Sequence, residues 1–117
     1  MRETTRIPLE RLASYLEHFT RRFLDGPRPR AVDVEHLESE LGDQYPVLGA
    51  RLTGITYDAR THSLEIALDS GDHRVSEPRE VWTIEEADGF LSTIAVVCSN
   101  GSREIVSVKR VGLLRLE

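Results

Sequence analysis

The stretch that decides the fold lies late in the chain, where residues 90–111 read FLSTIAVVCSNGSREIVSVKRV. Two runs rich in apolar and β-branched residues flank Asn100 and Gly101. This pair is preferred at the centre of a two-residue type I′ turn, because both central residues of that turn have positive φ. The pattern therefore predicts an antiparallel hairpin in which residues 90–99 pair with residues 103–111.

Further strands are predicted upstream, because apolar and polar residues alternate there with a period of two. The predicted strands cover residues 32–36, residues 44–58 with a break at Leu48 and Gly49, residues 64–68, and residues 81–85. Turn residues separate these segments at residues 42–43, 58–62, 70–72 and 87–89. Trp82 lies between apolar neighbours within the fourth strand and is predicted to be a core residue.

An amphipathic helix is predicted before the strands. Its apolar residues recur at alternating spacings of three and four and share one stripe of a helix, namely Leu9, Leu12, Leu16, Phe19 and Phe23. Pro8 suits the first helical position, and Gly26 followed by Pro27 supplies a stop. The helix is expected over about residues 8–24, with a stiff linker at residues 26–30. The stripe is shorter than a coiled coil requires, so the helix is expected to pack on the sheet.

The order of these elements predicts the fold class. One helix followed by five or six antiparallel strands, at about residues 31–111, indicates an α+β protein. The length of 117 residues suits a single domain over residues 1–117. Curling of the sheet into a partly open barrel would remove most of its free edge, and an SH3-like or Sm-like small barrel is the specific expectation.

Composition and charge exclude several classes of protein. Residues 1–24 carry a charge every few positions, so neither a signal peptide nor a membrane span is expected. Cys98 is the only cysteine, which favours a reducing, cytoplasmic compartment. The net charge is −5, and residues 31–72 hold two arginines against nine acidic residues. An acidic sheet disfavours nucleic-acid binding, whereas it suits a protein partner or self-association.

No complete catalytic or cofactor motif is present. Gly49 and Gly54 have the spacing of a phosphate loop, but Ile55 stands where the phosphate-binding lysine is required. Neither a nucleophile elbow nor a zinc-protease motif occurs, so no cofactor is expected.

One acidic strand has a metal-binding alternative. His36, Glu38 and Glu40 share one strand face and have side chains that bind divalent ions. A solvated acidic edge is the favoured interpretation, because no further Cys or His spacing supports a metal site.

Several short segments resemble a known family. They are Ile7-Pro8 with Glu10-Arg11, Gly54-Ile55 with Tyr57-Asp58, Leu64-Glu65-Ile66 with Leu68, and finally His73 and Pro78. With these segments the chain resembles a family of small bacterial proteins classed only as a domain of unknown function. Members often have tryptophan after the Glu-Arg pair, where this chain has Leu12. The resemblance implies no activity.

Two turns define the candidate surface site, which consists of Tyr57, Asp58, Asp72 and His73. A structural role is the favoured interpretation of these residues, with Tyr57 half-buried. The leading functional hypothesis is a small, non-enzymatic binding or protein-interaction module. The alternatives are a hydrolase-like enzyme that uses His73 with Asp58 or Asp72, and an Sm-like RNA-binding domain.

Overall fold

The computed structural model describes residues 2–24, 30–38, 40 and 42–110. Its helical part is α1 (Leu9–Phe19), which continues into a π-helical turn over Thr20–Leu24. The strands are β1 (Glu3–Ile7), β2 (Arg30–Glu38), β3 (Gly42–Asp58), β4 (Ser63–Leu68), β5 (His73–Ser76), β6 (Pro78–Glu85), β7 (Leu91–Cys98) and β8 (Arg103–Arg110). They form one antiparallel sheet in the order β1-β6-β7-β8-β2-β3-β4-β5. The α+β class is thereby confirmed.

Over the residues that the structure describes, the sheet has eight strands rather than the predicted five or six. One additional strand, β1, precedes the helix and pairs with β6 along the sheet edge. Ile7 is its single buried residue, so β1 has no apolar alternation that marks it as a strand. The other addition is β5, which Glu77 separates from β6 by a backbone bend with φ of 51°.

The predicted C-terminal hairpin is confirmed in its strands, because β7 pairs with β8 from Thr93 to Val97. The type I′ turn is wrong, since of its two central residues only Gly101 has positive φ, at 91°. The Gly101 amide donates to the Cys98 carbonyl at 2.9 Å, and the Cys98 amide donates to Ser102 at 2.9 Å. These bonds are typical of a three-residue hairpin loop that ends in a left-handed glycine.

The long strand β3 is continuous where a break was predicted at Leu48 and Gly49. These two residues lie opposite Asp33 alone, between the Val32–Ala50 and Val34–Val47 pairs, and so form a β-bulge. Gly49 has φ of 68°, and its amide donates to Asp33 Oδ1 at 2.7 Å. The bulge absorbs the extra residue and lets the strand continue on both sides.

The helix packs on the sheet through Leu12, Leu16 and Phe19, which are buried. Thr20 fixes the end of α1 to β3, because its Oγ1 donates to the Ile55 carbonyl and accepts from the Ile55 amide, both at 3.2 Å. Of the linker predicted at residues 26–30, residues 26–29 lie outside the described residues, and Arg30 already belongs to β2. Within the described residues, neither helical segment has the length and apolar character needed to cross a membrane.

The prediction that Trp82 is a core residue is wrong. Val81 and Thr83 are fully buried on either side of it, so the alternation of β6 turns Trp82 outward, where it is 38% exposed. Its Nε1 donates to Glu80 Oε1 at 3.2 Å on the outer face of the sheet.

Candidate functional site

A buried glutamate bound by two histidines lies inside the sheet. Glu104 is only 6% exposed. Its Oε2 is 2.6 Å from His36 Nδ1, and its Oε1 is 2.8 Å from His73 Nε2. The second ring nitrogen of His36, Nε2, is 3.2 Å from Glu38 Oε1. We call Glu104, His36 and His73 the inner cluster.

Strand alternation places all three side chains on the inner face. His36 is in phase with the buried Val32 and Val34 on β2, and it pairs directly with Glu104 on β8. His73 pairs with the buried Ile66 and therefore shares its face. Because these three polar residues are in phase with the buried apolar residues of their strands, their side chains meet in the interior.

The bond between His73 and Glu104 requires a strongly curled sheet. β5 lies four strands from β8 in the sheet order, and four steps in a flat sheet span about 19 Å. The two side chains nevertheless meet at 2.8 Å. The sheet therefore bends until β5 faces β8 across the interior.

The electrostatics of the inner cluster favour a charged carboxylate and a charged imidazole. Burial raises the pKa of Glu104, but the hydrogen bonds from His73 and His36 outweigh it and bring that pKa below its usual range. The hydrogen bond to Glu104 is the main cause that raises the pKa of His36, and Glu38 adds to it. Carboxylates only accept hydrogen bonds, so a His36 that binds both of them donates from both ring nitrogens and is protonated.

The groups around the inner cluster give little support to nucleophilic chemistry. Burial raises the pKa of the Cys98 thiol, which disfavours the reactive thiolate.

A polar cavity of about 180 Å³ lies at this end of the sheet, lined by Glu38, Glu40, Asn100, Gly101 and Ser102.

The described residues contain no group of three His, Cys, Asp or Glu side chains placed to hold a metal ion. In the predicted acidic strand, His36 and Glu38 do meet, whereas Glu40 lies in an exposed turn after β2.

The predicted surface residues divide between two separate places. Asp58 accepts a hydrogen bond from the Arg60 amide in its own loop at 2.9 Å, and it pairs with Ser63. His73 pairs with Ile66, three residues or about 10 Å further along β4. Tyr57 is buried, with its hydroxyl 3.5 Å from His62 Nδ1.

Asp72 is exposed in the turn before His73, while His73 points inward. The structure therefore joins His73 to Glu104 rather than to Asp58 or Asp72. Sequence reasoning missed Glu104, although its phase with the inward residues Val106 and Val108 carried the signal.

On the opposite face of β2, Asp33 forms an ion pair with Lys109 at 3.1 Å, whereas Glu35 has no such partner among the described residues. The neighbouring Asp43 carboxyl is the main cause that raises the pKa of Glu35, and the Tyr45 hydroxyl lies beside the same carboxyl. No basic side chain of the described residues forms an ion pair with Glu35 or Asp43. Nearby on β3, Tyr45 is 52% exposed and Leu48 is 69% exposed.

The backbone of β3 beside these residues has one free side. β2 pairs with β3 from Gly42 to Arg51, whereas the pairing of β4 begins only at Leu52. Among the described residues, no strand occupies the other side of residues 42–50. We call residues 42–50 the β3 edge.

Comparison with known proteins gives a family but no activity. No solved structure matches the chain. The chain is similar to an uncharacterized protein of Aquifex aeolicus (strain VF5), with 33% identity over 107 residues, which cover 91% of this chain and 92% of that protein. The model of a family of unknown function, DUF5335, matches residues 3–114. The chain therefore belongs to this family, as the short sequence segments predicted.

Proposed function

We propose that the protein is a non-enzymatic interaction module that binds an extended, basic segment of another protein along the β3 edge. The observation that carries this proposal is the free side of residues 42–50, beside two exposed apolar side chains. The unpaired side of a strand presents backbone donors and acceptors, and an added strand can form hydrogen bonds with them.

The apolar side chains favour occupation of this edge. Tyr45 and Leu48 are two of the three most exposed large apolar side chains among the described residues, and both lie within the β3 edge. An added strand gains affinity from its backbone bonds and specificity from side chains that contact such residues. Pro46 interrupts the row of backbone donors, so a partner bonds mainly on either side of it.

The charge beside the edge selects the kind of segment. The Asp43 carboxyl lies close enough to Glu35 to raise its pKa, and no basic side chain of the described residues forms an ion pair with either carboxyl. Arginine or lysine on an added strand would neutralise this pair, whereas a second copy of the same edge would bring like charges together. A basic segment of a different protein is therefore preferred over self-association here.

Selection of a random peptide library on the purified protein tests the proposal. Enriched peptides are expected to alternate arginine or lysine with aliphatic residues, and their binding should weaken with added salt. Amide chemical shifts should change within residues 42–50. Leu48→Lys is expected to lower the affinity about tenfold or more, as loss of an anchor residue does.

Trp82→Ala provides the matched control, because Trp82 is also exposed but lies on β6. It should leave peptide affinity unchanged. Enrichment of peptides without basic residues, shift changes around Trp82 instead of the β3 edge, or no enrichment at all would each reject the proposal.

We also propose that the curled sheet is a small, partly open barrel of the SH3-like or Sm-like kind. Support comes from the chain path, because β5 and β6 stand at opposite parts of the sheet order yet are joined directly at Glu77. The Ser99 amide donates to the Glu77 carbonyl at 3.0 Å at this junction. An experimental structure in which β5 and β8 are far apart would refute it.

A further inference from the structure

His36 connects a buried carboxylate to a rim carboxylate. Its Nδ1 lies 2.6 Å from Glu104 Oε2 in the interior, and its Nε2 lies 3.2 Å from Glu38 Oε1 at the end of β2. The Glu104 side chain is 8% exposed and that of Glu38 is 40% exposed. The two carboxylates therefore differ greatly in their access to water.

We propose that His36 is a proton-operated clasp, which holds Glu104 and Glu38 together when protonated and releases Glu38 when neutral. A neutral imidazole has one donor and one acceptor nitrogen, so it donates to only one of two carboxylates. The hydrogen of the neutral ring remains at Nδ1. If it left, the buried oxygen Oε2 of Glu104 would lose its donor and would have no water to replace it. Water replaces the bond at Glu38.

Release of Glu38 alters the rim of the sheet. Glu38 lines the cavity of about 180 Å³ together with Glu40 and residues of the β7–β8 turn. Without the imidazolium, two carboxylates remain in this cavity and repel each other, so the Glu38 side chain swings toward solvent. The clasp thus couples the proton on His36 to the position of the Glu38 side chain in this cavity.

The other groups around the clasp leave this assignment intact. From β5, His73 Nε2 donates to the second oxygen of Glu104 and keeps that carboxylate ionised. From β7, Cys98 faces Glu104 as a thiol, because burial raises its pKa. Neither group lies in the β3 edge, since His73 belongs to β5 and Cys98 to β7.

Nitrogen-15 NMR of the histidine rings across the pH range tests the clasp on the intact protein. His36 should titrate above the ordinary value of 6.5. Its Nε2 should lose the hydrogen while Nδ1 keeps it, and the side-chain resonance of Glu38 should shift with the same midpoint.

Glu38→Gln is the informative variant, because a glutamine amide also donates to a neutral Nε2. It should lower the pKa of His36 and remove the coupled movement at the rim, and its exposed position favours normal folding. His18→Gln, on an exposed position of α1, should change neither signal. Loss of the Nδ1 hydrogen first, a Glu38 resonance that does not follow His36, or an unchanged His36 titration in Glu38→Gln would each overturn the proposal.

Discussion

Two carboxylates on opposite sides of the sheet around β2, Glu104 inside and Glu35 outside, have opposite surroundings. On the inner face, His36 and His73 hold Glu104 with two hydrogen bonds in a buried environment. On the outer face, Glu35 contacts a second carboxyl, that of Asp43, without an ion pair to any basic side chain of the described residues. A buried charge requires compensation within the fold, whereas an exposed pair tolerates its repulsion because water screens it. The difference separates a part that stabilises the fold from a part that is available for binding.

The largest expected effect distinguishes these two carboxylates by stability. Glu104→Ala leaves two partly buried histidines without their acceptor and is expected to lower the free energy of unfolding by about 3 kcal/mol. Glu35→Ala, the matched change on the outer face, should cause no measurable loss. Urea unfolding near pH 6 checks both, and equal losses would remove the distinction between the two faces.

The pH dependence of stability should follow the inner cluster. Because the pKa of folded His36 is raised, its stabilisation is complete below its ordinary value of 6.5 and is lost as the pH rises through the raised value. Because the pKa of folded Glu104 is lowered, its stabilisation is complete above its ordinary value of 4.5 and is lost as the pH falls through the lowered value. Stability contributed by the cluster is therefore greatest between about pH 4.5 and pH 6.5.

Urea unfolding at a series of pH values measures this profile. Glu104→Gln should flatten both limbs, because it removes the ionisable partner that His36 and His73 share. A wild-type profile that rises steadily from pH 6 to pH 9 would contradict the assignment. So would a Glu104→Gln profile with the same shape as that of the wild type.

Local patterns in the sequence predicted the elements that local physics determines. The stripe with Leu12 and Leu16 predicted the helix, and the run of apolar and β-branched residues before Asn100 predicted β7. Trp82 was misassigned because its hydrophobicity outweighed the phase of Val81 and Thr83, both of which face inward. The two-residue period of a strand predicts an outward Trp82 once Val81 and Thr83 are placed inside, since adjacent residues point to opposite faces.

The inner cluster depends on contacts that no local pattern specifies. His36 and Glu104 are 68 positions apart in the chain, and His73 reaches Glu104 only because the sheet curls. The sequence analysis grouped His36 with Glu38 and His73 with Asp72, because these acidic residues are close to the histidines along the chain. Only the pairing of β2 with β8 and the curvature that brings β5 to β8 reveal the shared carboxylate.

A smaller effect is expected at the bulge that sets the outer face. Gly49 has φ of 68°, which favours glycine, so Gly49→Ala should cost about 1 kcal/mol. Gly54→Ala is the control, since its Cβ would lie 3.7 Å from Thr20 Cγ2, an ordinary contact, and should change stability by less than about 0.5 kcal/mol. Thermal unfolding compares the two variants. Equal losses would show that the bulge does not constrain β3.

The smallest expected effect concerns the outer pair itself and leaves the fold unchanged. Asp43 is the main cause of the raised pKa of Glu35, so Asp43→Asn should lower that pKa toward its ordinary value of 4.5, because an amide replaces a second acid. Carbon-detected NMR titration of the glutamate side chains measures the change, and Asp58→Asn, in a separate loop, should leave Glu35 unaffected. A basic peptide bound at the β3 edge should lower the same pKa by supplying the positive charge. If peptide binding leaves the Glu35 titration unchanged while Asp43→Asn lowers the pKa, the partner does not neutralise this pair and the outer face has a different role.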